Sequence, residues 1–240
     1  MKHTFSLADM SFMKVIGWVL TLSASTAAYA QTSWKEEVLL HDGQKILATR
    51  SVERGGRGEI GQQAPIKQQS IAFTLPTANE KVVWEDKFTE DIGGANFLPM
   101  QLEIYKGLAY VVAYPMGCLS YNKWGRPNPP YVVFKYQSKA WHQIPLQELP
   151  AVLTVPNLIF SSPDTEAKKS GQAVISAEAI KTLNARYTVP EHKAILRESI
   201  KPGTYLSLLS CAEMVFYKDS WVGLGDSIGK RMMDRKSQNK

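Results

Sequence analysis

Runs of β-branched and aromatic residues, each closed by a short turn, recur through the first two-thirds of this chain and restrict it to antiparallel hairpins. Residues 38–41 and 44–47 flank Asp42-Gly43, the signature of a two-residue type I′ turn. Residues 70–75 and 81–85 are joined across Pro76 and Asn79, 100–105 and 108–114 across Lys106-Gly107, and 131–136 and 140–144 across Gln137-Ser138-Lys139. An aromatic strand, a polar turn and a Trp-bearing strand echo as Phe73…Trp84, Phe134…Trp141 and Phe216…Trp221, at spacings too unequal for a propeller repeat. Arg54-Gly55-Gly56-Arg57-Gly58 reads as a basic glycine loop. The second half is more mixed. Ser176 is an N-cap candidate, with Glu178 in the first turn and Ile180, Leu183 and Tyr187 on one helical face. Pro190 ends that helix or opens a short second one, and residues 214–217 form a late strand.

The expected fold is therefore mainly β (α+β): an antiparallel, hairpin-rich sheet, sandwich or barrel-like, with one or two short helices in the C-terminal half. Three segments are expected. Residues 15–22 are a short apolar run after Lys14, and Ala28-Tyr29-Ala30 has the small-x-small pattern of a signal-peptidase site. The run falls far short of the ~20 residues that span a bilayer. Residues 1–30, starting at Met1 or Met13, thus read as a cleaved export signal, 31–229 as one β-rich domain and 230–240 as a basic disordered tail. Periplasmic or secreted localisation follows, with no transmembrane segment and a protein that is a monomer in solution. Residues 1–30 hold 2 of the 28 basic and 1 of the 22 acidic residues, which leaves 26 against 21. Most of that excess is the tail, which reads as a solvating one, with peripheral contact with anionic lipid or polysaccharide as the alternative, and export argues against nucleic acid.

Two cysteines in an oxidising compartment make one disulfide, Cys118–Cys211. Gly225-Asp226-Ser227-Ile228-Gly229 matches G-x-S-x-G, but the last histidine, His192, lies upstream, where a nucleophile elbow has its histidine downstream. His41, His142 and His192 form no metal-spaced pair, so no metal and no cofactor are expected. Glu85, Asp86, Glu90 and Asp91 cluster before Gly93-Gly94, where paired carboxylates are able to do glycosidic acid–base work. The long loop over residues 115–131 carries Tyr121, Trp124, Arg126 and Asn128, aromatic faces with amide and guanidinium donors that suit a sugar ring or a peptide.

The stretch Ser120-Tyr121-Asn122-Lys123-Trp124-Gly125-Arg126-Pro127-Asn128-Pro129-Pro130-Tyr131, with the later Asn157-Leu158-Ile159-Phe160-Ser161-Ser162-Pro163-Asp164, resembles uncharacterised exported bacterial proteins of about this length. That resemblance implies no activity, fold or site. From the residues, the expected function is a periplasmic binding or envelope-interaction protein without catalytic activity, contacting an envelope protein or glycan through Tyr121, Trp124, Arg126 and Asn128. The alternative is a hydrolase of cell-envelope polysaccharide that uses the Glu85–Asp91 cluster.

Overall fold

A computed structural model describes residues 31–55, 63–201 and 207–223, with Gly225, Ser227, Arg231, Asp234 and Arg235 beyond them. Residues 1–30, expected to form an export signal, residues 56–58 of the basic loop and most of residues 226–240 lie outside the described residues.

Two four-stranded antiparallel meanders follow one another along the chain. The first comprises β1 (Thr32–Leu39), β2 (Lys45–Arg54), β3 (Ile66–Leu75) and β4 (Glu80–Asp86), hydrogen-bonded in that order. The second comprises β5 (Phe97–Tyr105), β6 (Leu108–Pro115), β7 (Val132–Gln137) and β8 (Ala140–Ile144), again in chain order. Between β6 and β7 lies α1 (Gly117–Lys123). Three short helices follow, α2 (Pro163–Ser170), α3 (Ala177–Asn184) and α4 (Pro190–Lys193), and then the hairpin β9 (Met214–Tyr217) and β10 (Ser220–Gly223). The fold is mainly β, and its sheets do not close into a barrel.

The turns behave as their residues dictate. Lys106 and Gly107 both take positive φ, as do Ser138 and Lys139, which suits two-residue hairpin turns between right-twisted strands. Asp42-Gly43 departs from expectation. Only Gly43 has positive φ, strand pairing stops at Leu39 and Lys45, and the Asp42 carboxylate accepts the Gln44 N–H to stabilise a wider loop. Ser176 does cap α3, its hydroxyl accepting from the Ala179 N–H.

The two sheets pack face to face. Val38, Ala48, Ile71, Phe73, Val82 and Trp84 of the first interleave with Phe97, Leu102, Ala109, Val111, Ala113 and Val132 of the second in one core. Strand alternation makes this possible, since successive residues of each strand point to opposite faces. The second sheet is buried on both sides. Its outward Tyr110, Val112, Tyr114 and Val133 lie beneath Leu149, Leu153, Phe160 and Ile195 from the long C-terminal half. Among the described residues the first sheet is covered on its inner side only, with Ala167 of α2, Ile180 of α3 and Ile175 between these helices packed around Trp34, Val52 and Ile66.

Two sheet edges are closed by the same C-terminal chain. Ile175 forms a parallel bridge to β1, donating to Lys35 O and accepting from Glu37 N–H. Along β5, the Asn157 side chain accepts from Leu102 N–H and donates to Leu102 O, in place of a neighbouring strand.

Charged residues lie inside the sandwich. Arg50 and Glu36 pair at 3.1 Å with almost no exposure. Glu36 also accepts from the Trp34 indole and the Ile159 N–H, while Arg50 donates to Ile159 O and stacks over the Trp34 ring. Deleting one partner strands the other, so Arg50→Met or Glu36→Leu alone is expected to lower unfolding stability by about 3–5 kcal/mol. The double substitution should cost clearly less than the sum of the two, as read by denaturant titration in a double-mutant cycle.

Candidate functional site

The residues expected to contact a ligand are occupied within the chain. Trp124 packs its ring 4.7 Å from Phe97 and donates its indole N–H to Asn96 Oδ1. Tyr121 is buried beneath the Arg126 guanidinium, which lies 5.0 Å from its ring centroid. Arg126 donates to Asn122 Oδ1 and to the carbonyls of Ala212 and Cys211, and the Met214 N–H donates back to Asn122 Oδ1. Asn128 exchanges two bonds with the backbone of Ile200, at 2.9 and 2.7 Å. The Cys118–Cys211 disulfide joins the same two regions across 93 positions. Asn122, Arg126 and Asn128 are thus bonded to backbone of the chain's own C-terminal part. What reads as one long loop also contains α1, a helix with no side-chain cap at its start.

The acidic cluster is dispersed. Glu85 is exposed beside Lys87, and Glu90 is exposed. Asp91 pairs with Lys123 at 2.8 Å; burial pushes its carboxyl up, but the bonds from Lys123 and Thr89 bring it below the ordinary value. Asp86 points inward. Its oxygens accept from Asn96 N–H and Nδ2, Phe97 N–H and Gln69 Nε2, which fixes the start of β5 to the end of β4. Burial pushes the Asp86 carboxyl above its ordinary value, and these donors pull it back.

His41 meets Glu103, a pair that sequence separation hides. Its Nδ1 lies 3.1 Å from Glu103 Oε2, and its backbone N–H donates to the same oxygen. The pair ties the β1–β2 turn of one sheet to β5 of the other. Burial pushes the Glu103 carboxyl up, against the pull of His41. The advance signal is a charged residue, Glu103, within a mostly apolar strand. His142 is exposed on β8, and His192 is packed among aromatic rings. No group of three or more His, Cys, Asp or Glu among the described residues is arranged to hold a metal. The G-x-S-x-G segment lies largely outside the described residues, and no described helix is long and apolar enough to cross a membrane.

The strongest candidate surface is the outward face of the first sheet. Register places Ser33 opposite Ser51, Ser51 opposite Ser70, and Ser70 opposite Glu85, so three hydroxyls and a carboxylate form one row across four strands. Ser51 and Ser70 share a 2.7 Å hydrogen bond. Beside them Glu53 accepts from Lys67 and Gln68, and the Lys67 bond outweighs burial to hold its carboxyl below the ordinary range. Ser51, Glu53, Gln68, Ser70, Glu85 and Lys87 line a pocket of about 100 Å³, with Gln69 and Asp86 at its floor. Leu47 and Val83 stand exposed on the same face. The sequence conceals this site because the row exists only once register is fixed, and each serine alone reads as a surface residue.

No family model matches the chain, and no curated protein or solved structure is detectably similar to it.

An acceptor-only position does not tolerate an amide. Asp86→Asn is expected to lower stability by about 2–3 kcal/mol, because it sets a donor against the N–H groups of Asn96 and Phe97. Glu85→Gln should change stability by no more than about 0.5 kcal/mol, and chemical denaturation of both variants checks the contrast. Cys118→Ser with Cys211→Ser should cost about 2–4 kcal/mol, read the same way.

Proposed function

We propose that this is an exported binding module that contacts an envelope glycan through the open face of its first sheet. The observation that carries the reading is the Ser33–Ser51–Ser70–Glu85 row beside a polar pocket, on a face with no covering layer among the described residues. Hydroxyl, amide, ammonium and carboxylate groups alternate there over a short distance, and a polyhydroxylated ligand presents the matching donors and acceptors. Rigid strands position them, so little side-chain ordering opposes binding. Arg126 and Asn128 serve this module by holding the C-terminal chain in place, while Trp124 packs on Phe97 of the second sheet. Export, supported by the Ala28-Tyr29-Ala30 site and agreeing with the disulfide, would bring this face to the envelope.

The test is titration with soluble peptidoglycan and capsular oligosaccharides, followed by amide NMR. Shifts should concentrate on Ser51, Gln68, Ser70 and Glu85. Ser51→Val with Ser70→Val should weaken binding about tenfold, the loss of roughly two net hydrogen bonds. Shifts that map to Trp124 and Arg126 instead, or undiminished affinity in the double variant, overturn the assignment of this face. Binding of an envelope protein rather than any glycan overturns the ligand class.

One observation favours a second reading, a polysaccharide hydrolase, because Glu53 and Glu85 line the same pocket on the outward face while the Asp86 carboxylate is turned inward beneath it. Asp86 is held by N–H donors, which leaves Glu53 and Glu85 as acid and base. On that reading Glu85→Gln abolishes turnover and retains binding; absence of turnover in the unaltered protein across the same oligosaccharides rejects it.

A further inference from the structure

Helix α4 holds two consecutive titratable residues with unused polar atoms, Glu191 buried and His192 half-buried. Glu191 is 1 % exposed, and its Oε2 meets no donor; the Nε2 of His192 is likewise buried without a partner. The imidazole is enclosed by rings from three separate parts of the chain. Tyr114 of β6 lies 4.8 Å away, Phe160 of the layer over the second sheet 5.3 Å, and Tyr187, beyond α3, 5.7 Å, mostly edge-on. Phe160 and Tyr187 also touch each other at 4.4 Å, so the rings form a continuous wall. Three further bonds fasten the helix. The Tyr131 hydroxyl donates to the carbonyls of Glu191 and Ala194, and the Ile195 N–H donates to Thr154 O.

We propose that α4 is an acid-sensitive latch, which releases the 190–196 segment from the outer face of the second sheet when His192 takes up a proton. A neutral imidazole suits this box as a flat, weakly polar ring. A protonated one brings a second N–H with no acceptor and a charge removed from water, and both are costly in an apolar enclosure. The facing groups offer little relief. Tyr114 and Phe160 carry no charge. Tyr187 is a neutral phenol that hydrogen-bonds Ser161 and senses Glu166. The one charge acting on His192 is Glu191, which favours the proton, but burial outweighs it and holds the imidazole below its ordinary value. The sign follows: a histidine depressed in the folded state contributes stability fully above its ordinary pKa and loses it as pH falls through the folded value. Release would uncover Ile195, Phe160 and the Tyr114 side of the sheet, so acid would expose apolar surface at one end of the molecule.

Hydrogen exchange by NMR tests the latch, with protection factors compared at about pH 7.5 and about pH 5, the range over which histidine charge changes. Protection at Ala194, Ile195 and Leu196 should fall by about tenfold on acidification, relative to Val111 and Val132 in the core strands. His192→Phe keeps the ring and removes the proton site, so its protection should be the same at both pH values. His41→Gln and His142→Gln should behave as the unaltered protein does. Unchanged protection in the unaltered protein, or an equal loss in His192→Phe, overturns the proposal. Should His192→Phe fail to fold, Glu191→Gln decides: removing the carboxylate must move the transition to lower pH, and a transition that stays in place overturns the latch.

Discussion

The Glu36–Arg50 pair sets the terms for the rest of this structure. Two charges between packed sheets are costly to remove from water, and mutual attraction offsets that only if the remaining donors and acceptors find partners. The two side chains cannot satisfy each other alone. Glu36 needs Trp34 and the Ile159 N–H, and Arg50 needs Ile159 O, so residue 159 must be brought in between. That requirement pulls the chain after β8 back across the first sheet. Leu158 then enters the common core and Phe160 covers the second sheet. The ion pair thereby specifies where a long, weakly regular segment must lie, at some expense in stability, since Arg50 Nε remains unpaired.

The same segment closes edges that would otherwise invite other chains. Asn157 completes the hydrogen bonding of β5 with a side chain, and Ile175 completes that of β1 with two backbone bonds. Exposed strand edges template pairing with further strands, and covering them is a common defence. Here the cover is local chain rather than an added strand, which explains how a half with only short helices stays attached. Arg197 works in the same way, donating to the carbonyls of Leu146, Leu149, Pro150 and Leu153. Cation–carbonyl clamps and side-chain strand mimics take the place of a regular layer.

Legibility followed the range of the signal. The β5–β6 and β7–β8 hairpins, the Ser176 cap and strand β9 are encoded within a few neighbouring residues and were readable. Helix α1 was not, because Gly117–Lys123 lacks an N-cap bond and forms where Ser120 can donate to Asn96 O, a contact 24 residues away. Helix α2 follows a left-handed Ser162 and is held by Asp164 pairing with Arg54, 110 residues distant. Helix α1 has no local pattern to display, whereas α2 carries one that the expected elements omit: Pro163 at its start, acids in its first turn, lysines in its last and a left-handed Gly171 beyond. The His41–Glu103 tie and the serine row are also products of register, and register depends on the whole inward-facing set of a strand rather than on any one residue.

The aromatic segment teaches a different lesson. Trp, Tyr, Arg and Asn are the residues of recognition surfaces because they combine large contact area with directed hydrogen bonds. Docking a C-terminal segment between 72 and 93 residues away in sequence poses the same physical problem as docking a separate protein. Trp124 fills an apolar hollow, Arg126 reads two carbonyls and Asn128 pairs with a backbone as it would in an added strand. Composition alone says nothing about whether the partner of such residues is another molecule or the same chain. What separates the two cases is geometry. Around Arg126 and Asn128 the side-chain donors are met by backbone carbonyls of the same chain, whereas Gln68 and Glu85 on the outward face of the first sheet stay exposed to solvent.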